Sequence, residues 1–226
     1  MAGHAMNKDV AIAALPYLAL PFLALLAACN MGAGGNASSG ESEQGELIGA
    51  RIGAPFTLTN QDGKPTSWDS FKGQYRLVYF GYTYCPDVCP VDLQRIMQAF
   101  AKFEKAKPAL AAKVQPMLIS VDPERDTPAV LKTYVAAFHP RLIGLTGTKE
   151  QIAKVGKDFV VIYNPEKGTE KAGAATDYLV SHSRTPYLFD GDGKPVALVP
   201  VDDPATADVD EGAPDKVLAF LEKWVK

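Results

Sequence analysis

The sequence predicts an α/β fold, and three observations carry that prediction. Residues 77–80, Leu-Val-Tyr-Phe, have the apolar, β-branched and aromatic make-up of a buried strand. Residues 91–103 then repeat their apolar side chains at helical spacing, and residues 114–121 (VQPMLISV) read as a second buried strand. Strand, helix and strand in that order imply a parallel pair joined by a right-handed crossover. The turn between the first strand and the helix therefore lies at the carboxyl edge of the sheet, where open α/β folds bind their ligands.

With 226 residues, 47% hydrophobic and 22% charged, the chain can bury one substantial core, so a single folded domain is expected. The net charge of −3, a pI near 5.6 and the lack of a long Lys/Arg block argue against a nucleic-acid partner.

Residues 10–28 are uncharged and mostly apolar, follow Lys8 and end Leu26-Ala27-Ala28-Cys29. This stretch resembles a bacterial lipoprotein signal peptide, which implies cleavage before Cys29 and lipid on its sulfur. Uncleaved, it is about long enough to span a bilayer, which takes roughly twenty apolar residues. Either way the domain is expected outside the cytoplasm, tethered to the membrane. Residues 30–45 (NMGAGGNASSGESEQG) read as a flexible Gly/Ser-rich linker, leaving residues 46–226 as the folded domain.

Within that domain, residues 56–59 read as a short strand and Asn60 to Pro65 as turn chemistry, so a hairpin precedes the first central strand. Trp68 and Phe71 are expected in the core. After the second buried strand comes the polar loop 122–128 (DPERDTP), with Pro128 placed to open a helix over 129–138 and Asp126 or Thr127 to cap it. An Arg/Asp pair on the surface is the simplest reading of the other charges. His139 ends the helix, as a partner for its C-terminus and not a site residue. A strand over 142–145, a helix over 148–158 and strands over 159–163, 178–182 and 187–189 follow. Gly191-Asp192-Gly193 turns into a strand over 195–200. An acidic loop over 202–214 and a closing helix over 215–225 complete the chain.

The chemistry concentrates in Gly81 to Pro90, GYTYCPDVCP. Pro90 suits the first helical position, which puts Cys89 at or just before the helix start, where the dipole and unpaired N–H groups favour a thiolate. Cys85 is four residues away, so one turn brings both sulfurs to one face. They can form a disulfide or offer two soft ligands to one ion. A static staple is the weaker reading, because so short a loop removes little chain entropy. With Cys29 assigned to lipid, these are the remaining thiols of the chain. His182, beside a strand, is by spacing alone an ordinary structural histidine.

Three ordered motifs change that: Tyr-Cys-Pro-Asp-Val-Cys-Pro at 84–90, Ser-Val-Asp-Pro-Glu-Arg-Asp-Thr-Pro at 120–128, and Asp-Tyr-Leu-Val-Ser-His-Ser at 177–183 followed by Tyr-Leu-Phe-Asp. Together they resemble the Sco/SenC family, from about Leu47 to the last helix. The resemblance implies a thioredoxin-like fold with an extra N-terminal β-hairpin, a membrane anchor, and copper held by Cys85, Cys89 and His182. It also implies a metallochaperone role in assembling the dinuclear copper site of cytochrome c oxidase, with subunit II of that enzyme or another exported copper or thiol protein as partner. Two thiolates suit Cu(I), and an added imidazole gives a set that Cu(II) also accepts; Zn²⁺ is chemically possible. Two departures stand out. Ser181 occupies the position where the family usually has an Asp, and Thr185-Pro186 resembles the cis-proline that faces the cysteines of thioredoxins. The latter keeps a second function open, a thiol–disulfide oxidoreductase with Cys85 attacking and Cys89 resolving. A peroxiredoxin reading is weaker, since Thr83 stands two and not three residues before Cys85.

Overall fold

The computed structural model describes residues 46–166, 178–203 and 209–226, all within one unit, Gly40–Lys226. The leader, Cys29 and the linker expected at 1–45 lie outside the described residues, as does part of the acidic loop. Among the described residues no helix is long and apolar enough to cross a membrane.

The chain opens with the expected hairpin, β1 (Thr57–Asn60) against β2 (Pro65–Ser67), and a 3₁₀ turn, Trp68–Phe71. The central strand β3 (Tyr75–Gly81) leads into α1 (Val88–Ala106), a short α2 (Pro108–Ala111) and β4 (Val114–Ser120). Then come α3 (Pro128–Ala136), β5 (Ile143–Thr146) and α4 (Lys149–Asp158). β6 (Tyr163–Glu166), β7 (Leu179–His182), β8 (Tyr187–Phe189), β9 (Pro195–Leu198) and α5 (Pro214–Trp224) finish the fold. One seven-stranded sheet runs β2-β1-β5-β4-β3-β8-β9, and β6 and β7 form a separate antiparallel pair. The parallel β3/β4 pair inferred from sequence is present over its full length, Tyr75↔Val114 to Gly81↔Ser120, and the fold is thioredoxin-like.

An aromatic cluster of Phe56, Trp68, Phe80, Phe159 and Phe189 fills the core, with ring centroids 5.2–6.0 Å apart. Arg76 lies inside it, unforeseen in the sequence: its guanidinium stacks 4.4 Å over Trp68 and donates to Asp190 O at 2.9 Å. A cation is tolerated there because the ring face and the carbonyl replace part of its lost hydration.

Several local expectations are corrected. The helix α1 starts at Val88, so Pro90 is its third residue; the position still has no intrahelical partner for an N–H, which is why proline fits. Thr127 alone caps α3, accepting from Val130 N, while Asp126 is buried elsewhere. Asp122 and Arg125 do pair, at 2.5 Å, but inside the protein and not on its surface. The His139 ring accepts from Arg141 N and reaches Glu104 at 3.0 Å, so only the backbone N–H of His139, to Val135 O at 3.4 Å, meets the end of α3. The Thr185–Pro186 bond is trans, like every other described peptide bond.

The strand expected over 159–163 begins only at Tyr163. Phe159 drops into the aromatic cluster and Val160 turns left-handed, at φ 57°, with Val161 N bonded to Gly156 O and Val160 N to Lys157 O. That is a Schellman stop, normally built on glycine. A β-branched residue there is strained by about 1–2 kcal/mol. Val160→Gly is therefore expected to raise the stability of the full chain by about 1 kcal/mol in urea unfolding, net of glycine's backbone entropy. A fall in stability would contradict this account of the turn.

Candidate metal and thiol site

Strand β3 delivers the cysteines. It ends at Gly81, where an added Cβ would lie 3.2 Å from Cys89 Sγ, so the bare backbone lets the helix start close over the strand end. The next residues are held from below by Asp126. This carboxylate, wholly buried, accepts from Thr83 N at 3.1 Å, Thr83 Oγ1 at 2.6 Å and Ser120 Oγ at 2.6 Å. Burial raises its pKa while the donors oppose the shift. Asp126 thus ties the loop carrying Cys85 to the end of β4.

Cys85 and Cys89 are both free thiols, Cys85 partly buried and Cys89 fully so. No side chain of Asp87 caps α1; Cys85 Sγ sits there instead and accepts from Cys89 N at 3.4 Å. The Cys89 thiol, the His182 ring and the N–H groups of Asp87 and Cys89 all favour charge on Cys85, against the cost of burial, and bring its pKa to about 3. Cys89 is pushed the other way, by its bond to Cys85 and by burial. The helix-start argument for a thiolate therefore applies to Cys85, whose sulfur caps the helix, and not to Cys89, whose sulfur turns inward.

His182 ends β7. Its Nε2 lies 2.9 Å from Cys89 Sγ and its Nδ1 3.0 Å from Ser183 O. A carbonyl can only accept, so Nδ1 carries a proton here; Nε2 faces the sulfurs, a lone-pair ligand in the neutral ring and an N–H donor to the Cys85 thiolate in the imidazolium. Ser181, where a carboxylate was the family expectation, bonds to Asn164 O. The ligand atoms of Cys85, Cys89 and His182 all fall within 4.8 Å of one another, the one such cluster found among the described residues. Cys29 lies outside the described residues.

Two ion pairs bracket β7. On one side, Tyr178 Oη donates to Asp122 Oδ1 at 2.5 Å, and the Arg125 guanidinium stacks 3.7 Å over the Tyr178 ring and 4.7 Å over Tyr84. Tyr82, whose hydroxyl accepts from Val180 N, presents its ring edge-on to His182. On the other side, Arg184 grips Asp92 through two bonds of 3.0 and 2.7 Å, and Tyr79 Oη donates to the same carboxylate. Sequence reasoning missed Asp92, although its place three residues after Cys89 and four before Ile96 sets it on the buried stripe of α1.

A thioredoxin-like sheet with two free thiols and an imidazole at its carboxyl edge defines a class of thiol and metal-handling proteins. The sequence model of SCO1/SenC matches residues 44–211, and the chain belongs to the SCO1/SenC family. Protein SCO2, mitochondrial, of Saccharomyces cerevisiae is 41% identical over 143 residues, 63% of this chain and 46% of that protein. The chain thus spans about half the length of the first curated relatives it matches. The structure of Bradyrhizobium japonicum ScoI with copper bound is similar at 38% identity and a TM-score of 0.63, over 77% of this chain and 99% of that one. A SCO1/SenC family lipoprotein from Bacillus anthracis is similar at 26% identity and a TM-score of 0.58, over 76% of this chain and 94% of that one.

The depressed Cys85 pKa has a signed consequence. A folded value of about 3 against an ordinary thiol value means its stabilising contribution is complete above the ordinary thiol range and is lost as pH falls toward 3. Its thiolate is accordingly present throughout mild acid. In the reduced full chain, iodoacetamide at about pH 5.5 is expected to modify Cys85 first by peptide mapping, with a rate that changes less than about twofold up to pH 7.5. A rate climbing about tenfold per pH unit would contradict the assignment.

Proposed function

We propose that this chain is a copper-binding metallochaperone that assists assembly of the dinuclear copper site of cytochrome c oxidase. The observation that carries the reading is the convergence of two free thiols and His182 Nε2 within 4.8 Å, in a chain of the SCO1/SenC family. The donor set fits the ion. Two sulfurs suit Cu(I), and the imidazole extends the set to Cu(II), whereas Mg²⁺ and Ca²⁺ want oxygen. A Cys85 that is already a thiolate has little proton to lose on binding, while Cys89 must give up its own, so uptake weakens as pH falls. The recipient is an exported copper or thiol protein, with subunit II of the oxidase the first candidate.

The domain works outside the cytoplasm, held to the membrane by lipid on Cys29 or by the uncleaved apolar run. The apolar leader, the Gly/Ser-rich linker and the likeness to a family lipoprotein support that tether.

The asymmetry of the thiols favours one second reading, a thiol–disulfide oxidoreductase. Cys85 thiolate would attack a disulfide of an exported partner, forming a mixed disulfide and releasing one partner thiolate. Cys89, on losing its proton, would then attack Cys85 Sγ, release the second partner thiolate and leave a Cys85–Cys89 disulfide for an external dithiol to reduce. Trapping of a mixed disulfide by Cys89→Ser, and its absence in Cys85→Ser, would support this activity.

Copper titration of the reduced full chain is expected to saturate at about one equivalent, with Cu(II)–thiolate absorption lost in Cys85→Ser or Cys89→Ser and weakened in His182→Ala. Failure of the reduced protein to bind copper would overturn the metallochaperone reading.

A further inference from the structure

We propose that Arg184, through its grip on Asp92, is a positioning residue for His182: it fixes the peptide whose carbonyl orients the imidazole toward the sulfurs. The inference rests on reading Cys85, Cys89 and His182 as a copper site.

The carbonyl that receives His182 Nδ1 belongs to the peptide joining Ser183 to Arg184. Both ends of that peptide are anchored. At Ser183, the N–H donates to Ile162 O at 2.8 Å, and the hydroxyl accepts from Ile162 N at 3.0 Å and lies 3.3 Å from Ile162 O. At Arg184, the guanidinium forks onto Asp92, a carboxylate that is 2% exposed and also receives Tyr79 Oη. Asp92 lies on α1 three residues after Cys89.

The grip therefore refers the Ser183 carbonyl, and with it the ring, to the helix that carries a sulfur. An imidazole freed from that carbonyl can rotate about its own side-chain bonds and offer either nitrogen, or neither, to an ion. The cost falls on the ion that needs the nitrogen. Cu(I) can be satisfied by the two thiolates, whereas Cu(II) depends more on the imidazole.

The test uses the reduced full chain in detergent, titrated separately with Cu(I) and Cu(II), comparing wild type with Arg184→Gln and Asp92→Asn, each alone and combined with His182→Ala. Arg184→Gln is expected to weaken Cu(II) binding about 10–100-fold and shift the Cu(II)–thiolate absorption, with Cu(I) affinity changed by less than about threefold. Asp92→Asn, nearly isosteric, is expected to move the same readouts in the same direction, and it carries the test should Arg184→Gln not fold. In the His182→Ala background neither substitution should change copper binding further. Unchanged Cu(II) binding and spectrum in the variants would overturn the proposal. Equal loss of both copper ions, or a loss that persists without His182, would reduce the pair to a structural one and overturn it as well. A wild-type chain that takes no copper would instead defeat the copper reading itself, and the proposal with it.

Discussion

The antiparallel pairing of β8 with β3 is the constraint on which the site depends. Tyr187 lies opposite Val78, so the chain enters β8 at the end of the sheet where β3 runs out. Cys85 follows β3 by four residues and His182 precedes Tyr187 by five. Neither segment has room to go far, and so residues 93 positions apart in sequence, Cys89 and His182, are brought into contact. The parallel β4 adds the third wall, because its end carries Asp122, Arg125 and Asp126 to the same edge.

Pairing brings the pieces near, and buried polar contacts set their positions. β6 and β7 stand outside the main sheet, so no ladder hydrogen bonds to β3 hold His182. The Asp122–Arg125–Tyr178 cluster and the Arg184–Asp92 pair do that work from either side. Buried charges of this kind contribute little net stability but are costly to leave unpaired, so they favour one arrangement over its neighbours. Their geometry leaves the sulfurs unequal. Cys85 takes the helix-capping role and the negative charge, while Cys89 keeps its proton beneath the strand end.

Much of this was legible in the sequence. Strand-like apolar runs identify β3 and β4, and Pro128 marks a helix start that the structure retains. The two cysteines were legible as a pair because they are local, four residues apart. His182 was not legible from spacing, since its role depends on a non-local pairing; only the ordered family motifs pointed to it. The strand that starts at Tyr163 is expected too early because Phe159 and Val161 look like strand residues, whereas Phe159 serves the aromatic core and Val160 makes a left-handed helix stop that residue type disfavours. The charges of the 122–128 loop read as exterior, as isolated charges usually are. Tyr82 and Tyr84 after β3 and the distant Tyr178 surround the Arg125 guanidinium, a setting that no local pattern displays.

Whether one imidazole and two sulfurs meet on a single ion is read directly by X-ray absorption at the copper edge. For the full chain loaded with one equivalent of Cu(II), two sulfur neighbours and an imidazole nitrogen are expected in the inner shell, the nitrogen's outer-ring scattering vanishing in His182→Ala. A copper shell of sulfur without imidazole, or one unchanged by removing His182, would contradict it.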